Sequence, residues 1–265
     1  MIGAERSIEG GGGRRVGVIA PRAVVTGGTH GIGLAIAKAV LAREGQVLVT
    51  GLDERRVESA RDELGPRAFV VRSDAASMAD IDALGGIVDD RLGGVDALFV
   101  NAGVAYGTPV AETTEELYDR TFDVNTKGAF FTVRRLLPRL KDGGAIVFTT
   151  SVADEGGAAG LGPYAGSKAA VWSFAQVLAA ELLPRGIRVN AVAPGFIDTP
   201  SMGLTGASAE ERAAFSKAGD AVTPMKRHGT PEEVAAAALF LAFDATFTTA
   251  VKLPVDGGLG RRLTG

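Results

Sequence analysis

The chain is expected to fold as a doubly wound α/β unit: a parallel sheet of about seven strands flanked by helices on both faces. Three observations predict this. Short apolar runs alternate with longer helical patterns along most of the 265 residues, which is the rhythm of strands joined by crossover helices. The runs are mostly continuous in their apolar character, as strands covered on both faces are. A glycine-rich turn stands where the first run meets the first helical pattern, at the carboxyl end of a strand, where open α/β sheets bind ligands.

In order, the predicted strands are AVVT (23–26), QVLVT (46–50), AFVVR (68–72), DALFV (96–100), AIVFTT (145–150), IRVNAV (187–192) and VKLPV (251–255). Helical patterns fall between them at 31–43, 54–64, 77–92, 114–140, 164–184 and 231–243. Right-handed crossovers then place helices on both faces. Residues 1–20 carry charges and a four-glycine run but no apolar segment, so they are expected to form a flexible arm and not a secretory signal. Residues 21–265 are expected to make one domain, a length at which α/β folds are routinely single units. The stretch 196–230 breaks the rhythm. It is rich in Gly, Ser, Thr and Pro, with one charged helical patch, SAEERAAFSKA, and long connections of this kind often serve as lids over a substrate.

Composition narrows the function. Hydrophobic residues make up 46% and charged residues 22% of the chain, the balance of a globular protein. A net charge of −3 argues against nucleic acid or an anionic membrane as partner. There is no cysteine, and the two histidines, His30 and His228, have no metal-ligand spacing, so no metal is expected. The longest apolar runs, such as AAAALFLAF (235–243), are too short to span a bilayer. A soluble cytoplasmic protein with a small-molecule substrate is the expectation.

The glycines of TGGTHGIG (26–33) open a helix directly after the first strand. They let the backbone approach a pyrophosphate, and the helix start offers free N–H groups and partial positive charge. Their spacing differs from the common dinucleotide fingerprint G-x-G-x-x-G. Further on, Tyr164 and Lys168 lie four apart on a predicted helix, hence on one face. A phenol has a free pKa of about 10. An ammonium about 5 Å away, at an effective dielectric near 20, contributes roughly 3 kcal/mol. That is on the order of two pKa units, which would bring Tyr164 toward neutrality, where general acid–base catalysis works well.

Taken together, these motifs resemble the short-chain dehydrogenase/reductase family. The resemblance covers roughly residues 20–260 and rests on TGGTHGIG, on NAG (101–103) after the fourth strand and on NTKG (125–128). It rests also on Ser151 followed thirteen residues later by Tyr164 in Y-x-x-x-K, on PGFIDT (194–199) and on VDGG (255–258). It implies a Rossmann-type fold and an NAD(P)(H)-dependent oxidoreductase that interconverts a ketone and a secondary alcohol. By resemblance, Tyr164 is the general acid/base and Ser151 polarises the substrate oxygen. Lys168 assists Tyr164 and holds the nicotinamide ribose, and Asn125 sits at a helix kink whose backbone carbonyl holds a relay water. The implied cofactor contacts are Gly27, Thr29, His30, Gly31, Ile32 and Gly33 in the first turn, and Leu52 after the second strand. They continue with Asp74 and Ala75 after the third, with Asn101, Ala102 and Gly103 after the fourth, with Tyr164 and Lys168, and with Pro194, Gly195, Ile197 and Thr199 beside the nicotinamide. A helix N-cap is a competing role for Asp74, with Ser77 nearer the helix start.

At the cofactor-selecting positions, relatives that prefer NAD carry an Asp where this chain has Gly51. Relatives that prefer NADP carry a basic residue where it has Leu52 or His30. Without a carboxylate at 51 to repel a phosphate, and with His30, Arg55 and Arg56 nearby, NADP(H) is favoured over NAD(H). Gly51→Asp is expected to reverse the preference. Two substrate options stand: a 3-oxoacyl or polyketide ketoreductase, against which Ala180 counts for an acyl-carrier substrate, and a small-alcohol or sugar dehydrogenase. A non-catalytic nucleotide-sensing regulator is the alternative class. Substrate walls are expected from 153–162 and from 196–220. The resemblance implies a homo-oligomer, dimer or tetramer, in which helices 114–140 and 164–184 pair across a two-fold axis.

Overall fold

The computed structural model describes residues 20–200, 205–206, 208–261 and 263. The expected arm falls almost entirely on residues outside this set, as does Gly203 of the expected lid. Among the described residues, seven strands make one parallel sheet: β1 (Arg22–Val25), β2 (Gln46–Gly51), β3 (Ala68–Arg72), β4 (Val95–Val100), β5 (Leu140–Thr149), β6 (Arg188–Pro194) and β7 (Lys252–Val255). Their spatial order is β3-β2-β1-β4-β5-β6-β7. The order reverses between β1 and β4, and the crevice beyond that switch point is where such sheets take ligands.

The helices are α1 (Gly31–Ala42), α2 (Glu54–Leu64), α3 (Met78–Arg91), α4 (Glu115–Phe122), α5 (Ala129–Leu136), α6 (Gly162–Leu182), α7 (Ala209–Val222) and α8 (Pro231–Leu239). They divide the core into two layers. Ala23 and Val25 of β1 face a cluster with Ile36 and Val40 of α1 and with Val234 and Ala238 of α8. Val24 faces the other way, into a cluster with Leu84 of α3, Val133 of α5 and Val171 of α6. Successive strand side chains point to opposite faces, and both faces are buried, so the strands read as unbroken apolar runs.

Most element ends fall within a residue or two of expectation, and chemistry explains several. Asp53 caps α2, and Ser77 caps α3 by accepting from the Asp80 N–H. Ser208 and Glu211 close a capping box on α7, so the charged patch predicted within the lid is a helix of 14 residues. The main difference lies in 114–140, expected as one helix. It is α4, a wide π-turn over Asp123–Gly128, α5, and a 3-10 turn over Leu137–Arg139. Pro138 cannot continue a helix. At the wide turn, the Thr126 hydroxyl bonds back to the Phe122 carbonyl, a local bond that competes with the helical ladder. The 164–184 helix begins two residues early, at Gly162 with Pro163 in its first turn, where proline's fixed φ suits a helix start.

Candidate active site

β1 ends at Val25, and the chain turns through Gly27, Thr29 and His30 into α1. Gly27 has φ of 62°, a left-handed conformation open to glycine at little cost. A Cβ there would also lie 2.8 Å from Ala102 Cα. The turn therefore needs glycine for two reasons, and it leaves an open cradle before the free N–H groups of α1. Asn101, just after β4, braces this cradle. Its amide donates to the carbonyls of Thr26 and Gly27 at 3.2 and 3.0 Å, and its Oδ1 accepts from Thr149 Oγ1 at 3.1 Å. The side chain thus ties together the ends of β1, β4 and β5, and only its remaining surface faces the cleft.

At the end of β5 three hydroxyls follow one another, and the structure separates them. Thr149 Oγ1 is committed to Asn101 and Thr150 Oγ1 to the Val192 carbonyl at 3.0 Å. Ser151 is left to act on the Tyr164 phenol, whose pKa it works to lower. Its Oγ also accepts from the Ala153 N–H at 3.2 Å. Lys168 is 4% exposed. Its Nζ donates to the Thr149 carbonyl at 2.8 Å and stands 5.8 Å from the centre of the Tyr164 ring.

Asn125 occupies the wide turn between α4 and α5 and is buried. Its Oδ1 accepts from the Val104 N–H at 2.8 Å, and its Nδ2 donates to the Val104 carbonyl and to Ser167 Oγ, both at 2.9 Å. Ser167 in turn donates to the Tyr164 carbonyl at 2.7 Å. The helix expected over 114–140 is therefore interrupted at Asn125, whose side chain joins the loop after β4 to the first turn of α6.

The expected electrostatics of Tyr164 require correction. The phenol's pKa is raised, not lowered: burial is the largest cause, the Ser151 hydrogen bond works against it, and the Asp154 carboxylate adds to it. Lys168 is pushed down to about 8, because burial disfavours the ammonium more than Asp154 favours it. The surface-like dielectric assumed from sequence ignored this desolvation, which acts against the charged form of both groups.

One cleft of about 1390 Å³ receives the cradle at one end and Ser151, Tyr164 and Lys168 at the other. That exceeds the ~300–1,000 Å³ usual for a single small ligand, so a dinucleotide and a second molecule fit side by side. Thr29, His30, Leu52, Asp74, Ala75, Ala102 and Gly103 line it, as do Pro194, Gly195, Ile197 and Thr199. Of the residues singled out from sequence, Gly33 and Asn125 do not. Gly33 packs behind the turn, where an added Cβ would lie 2.6 Å from Asn101 Nδ2. Asp74 lines the cleft and its Oδ1 accepts from the Ala76 N–H at 2.9 Å, but the competing N-cap role falls to Ser77, which caps α3.

The residues present fit a nicotinamide dinucleotide: the cradle would be filled by a Cβ, and His30 Nδ1 is a buried nitrogen without a hydrogen-bond partner. Sequence reasoning missed Arg120, which pairs with Asp74 at 3.3 Å, and Leu259 in the cleft lining, whereas Phe196 and Phe215 fall within the expected 196–220 wall. Among the described residues no group of three acidic, cysteine or histidine side chains is placed to hold a metal.

The same fold is found among known proteins. A family model described as "Enoyl-(Acyl carrier protein) reductase" matches residues 27–260. Galactitol 2-dehydrogenase of Agrobacterium fabrum is 35% identical over 250 residues, covering 89% of this chain and 96% of that protein. A solved Brucella melitensis structure titled short-chain dehydrogenase/reductase SDR:glucose/ribitol dehydrogenase superposes with a TM-score of 0.84 at 32% identity, over 91% of this chain and 96% of that one. A blue fluorescent protein from a metagenomic library, solved in complex with NADPH, gives 0.81 at 32% identity, over 90% and 97% of the two chains.

Proposed function

The chain belongs to the short-chain dehydrogenase/reductase family, and on that premise we propose that Tyr164 is the general acid/base with which it interconverts a ketone and a secondary alcohol. The observation that carries this reading is the convergence of Ser151, Tyr164 and Lys168 on one wall of a cleft whose far end is a dinucleotide cradle. A bound nicotinamide supplies or accepts the hydride. The chain's own residues manage the substrate oxygen. Ser151 donates a hydrogen bond to it, and Tyr164, whose pKa burial holds above the ordinary phenol value, gives it a proton on reduction and takes one back on oxidation. Lys168, fixed on the Thr149 carbonyl, places its ammonium beside the phenol and toward the cofactor ribose. Asn125 holds the start of α6, and so Tyr164, in register.

NADP(H) is the proposed cofactor. A Cβ at Gly51 would lie 2.6 Å from Thr29 Oγ1. Gly51→Asp therefore requires the Thr29 side chain to shift, and with that shift the new carboxylate is expected to turn the preference toward NAD(H). His30 and Arg56 stand at the same end of the cleft, close enough for Arg56 to help burial hold the imidazole below its ordinary pKa. Substrate walls from Val152, Ala153, Leu161, Phe196, Phe215 and Leu259 suit an uncharged, apolar ketone. Residues 196–230 act as its lid, the working unit is a homo-oligomer, and the protein is cytoplasmic.

The test is one kinetic panel of ketones, alcohols and acyl thioesters with both cofactors. Wild type should favour NADPH, and Tyr164→Phe should lower kcat by about 10² or more with unchanged cofactor affinity. Near-wild-type turnover in that variant would refute the mechanism. A wild-type preference for NADH would refute the cofactor assignment.

A further inference from the structure

This inference rests on Tyr164 as the proton donor. Asp154 lies in the short 3-10 turn Val152–Glu155 that follows Ser151. Its carboxylate is 1% exposed and lies behind the cleft wall, outside the lining. One oxygen accepts from Lys252 Nζ at 2.8 Å, and the other, Oδ2, is buried without a hydrogen-bond partner. Lys252 comes from the last strand, β7. Its ammonium also meets Glu155 Oε1 at 2.5 Å and stands 5.6 Å over the Trp172 ring. Trp172 is one helical turn beyond Lys168 on α6, on the same face. The buried ion pair and the Tyr164–Lys168 pair therefore lie against one stretch of one helix.

As a scaffold this arrangement is a poor choice. A buried carboxylate with an unused oxygen is costly, and a well-packed apolar pair would hold the turn as well or better. Its charge offers a reason for its presence. We propose that Asp154 is a positioning residue for catalysis, whose charge, partly neutralised by Lys252, sets how readily the Tyr164–Lys168 pair gives up its protons. The Asp154 charge adds to the burial that raises the Tyr164 pKa and opposes the burial that lowers that of Lys168, while the pKa of Asp154 itself is raised, chiefly by burial, against the lowering by Lys252 and Lys168. The charged and titratable groups facing Asp154 are Lys252 from β7, its neighbour Glu155, and Tyr164 and Lys168 from α6. Arg261 acts on Glu155 from the C-terminal side. Removing one negative charge lowers both ionisations of the coupled pair, however the protons are shared between them.

The experiment compares Asp154→Asn with the double variant Asp154→Asn/Lys252→Gln. Two readouts are used: the pH profile of ketone reduction, and phenolate formation followed by ultraviolet difference absorbance against Tyr164→Phe. With three tyrosines in the chain, that difference isolates Tyr164. Asp154→Asn should move both midpoints to lower pH by about half a unit or more. The double variant, which loses both charges, should return toward wild type. Midpoints unmoved in Asp154→Asn, even with reduced turnover, would reduce Asp154 to a structural role and overturn the proposal. Equal shifts in the single and double variants would also overturn it. Asp154→Ser, smaller and neutral, gives the same reading where the amide disrupts folding. The absorbance titration needs no turnover. Full activity in Tyr164→Phe would therefore refute the donor reading while leaving the electrostatic result intact.

Discussion

Lys168 shows how a working site opposes stability. Its pKa falls from 10.5 to about 8, which corresponds to roughly 3 kcal/mol of disfavoured charge at neutral pH. Its charge-assisted hydrogen bond to the Thr149 carbonyl returns about 1.5–3 kcal/mol, and losing that bond would leave a buried acceptor unpaired at ~1–3 kcal/mol. Lys168→Met is therefore expected to melt close to wild type at pH 7, while turnover and cofactor binding collapse. The pH dependence has a definite sign. Below about pH 8 the lysine is protonated in both the folded and the unfolded chain, and the penalty is fully present. Between about 8 and 10.5 the folded protein has released the proton and the unfolded chain has not, so wild type gains stability on the variant as pH rises. Thermal melts of both proteins from pH 7 to 10 check this. A variant clearly less stable at pH 7 would show that Lys168 is held by packing that outweighs its desolvation. The position of this lysine was legible from Y-x-x-x-K. The direction of its neighbour's pKa was not, because burial is a property of the folded surroundings.

Among the elements, α7 has the thinnest anchorage. Only Gly219 of its 14 residues is buried, and its contact with the substrate side runs through Phe215 against Phe196, ring centres 5.0 Å apart. Gly206, with φ of 79°, precedes it and can absorb a hinge rotation. Hydrogen exchange should show α7 weakly protected in the free protein, and protection should rise when NADPH and a ketone analogue are both present. Equal protection in the two states would rule out a moving lid. The wide turn at Asn125 illustrates the limit of reading elements from pattern. The apolar periodicity of 114–140 continues through it, and only the bonds of Asn125 to Val104 and Ser167, with the local bond from Thr126 back to Phe122, show why the helix widens there.

At the scale of the whole molecule, apolar side chains remain exposed on two faces. Tyr118, Phe130 and Val177 belong to α4, α5 and α6, and Phe240, Phe247 and Val251 flank α8 and β7. Phe130 packs on Phe174 of α6 with ring centres 5.3 Å apart, so α5 and α6 meet through an aromatic pair beside this face. Burying such side chains contributes about 25 cal/mol per Å². Light scattering is therefore expected to find a dimer or tetramer, and Phe130→Glu should shift it toward smaller species with the fold retained by circular dichroism. A wild-type monomer at micromolar concentration would contradict the proposed oligomer. Among the described residues no helix is long and apolar enough to cross a membrane.

The sequence by itself determined most of the strand and helix series, the glycine turn, and the spacing that sets Tyr164 beside Lys168. Each of these is written in local terms: apolar period, cap chemistry, or a spacing of a few residues. It did not determine what meets across long separations. Thr29 fills the space at Gly51, Asn101 ties three strand ends, and Lys252 reaches Asp154 from 98 residues away. Those contacts, and the desolvation that sets the charge state of Lys168 and the proton affinity of Tyr164, exist only once the sheet has brought its strand ends together and excluded water from between them. A pKa depends on the dielectric and the charges around a group, and the tertiary structure alone supplies both.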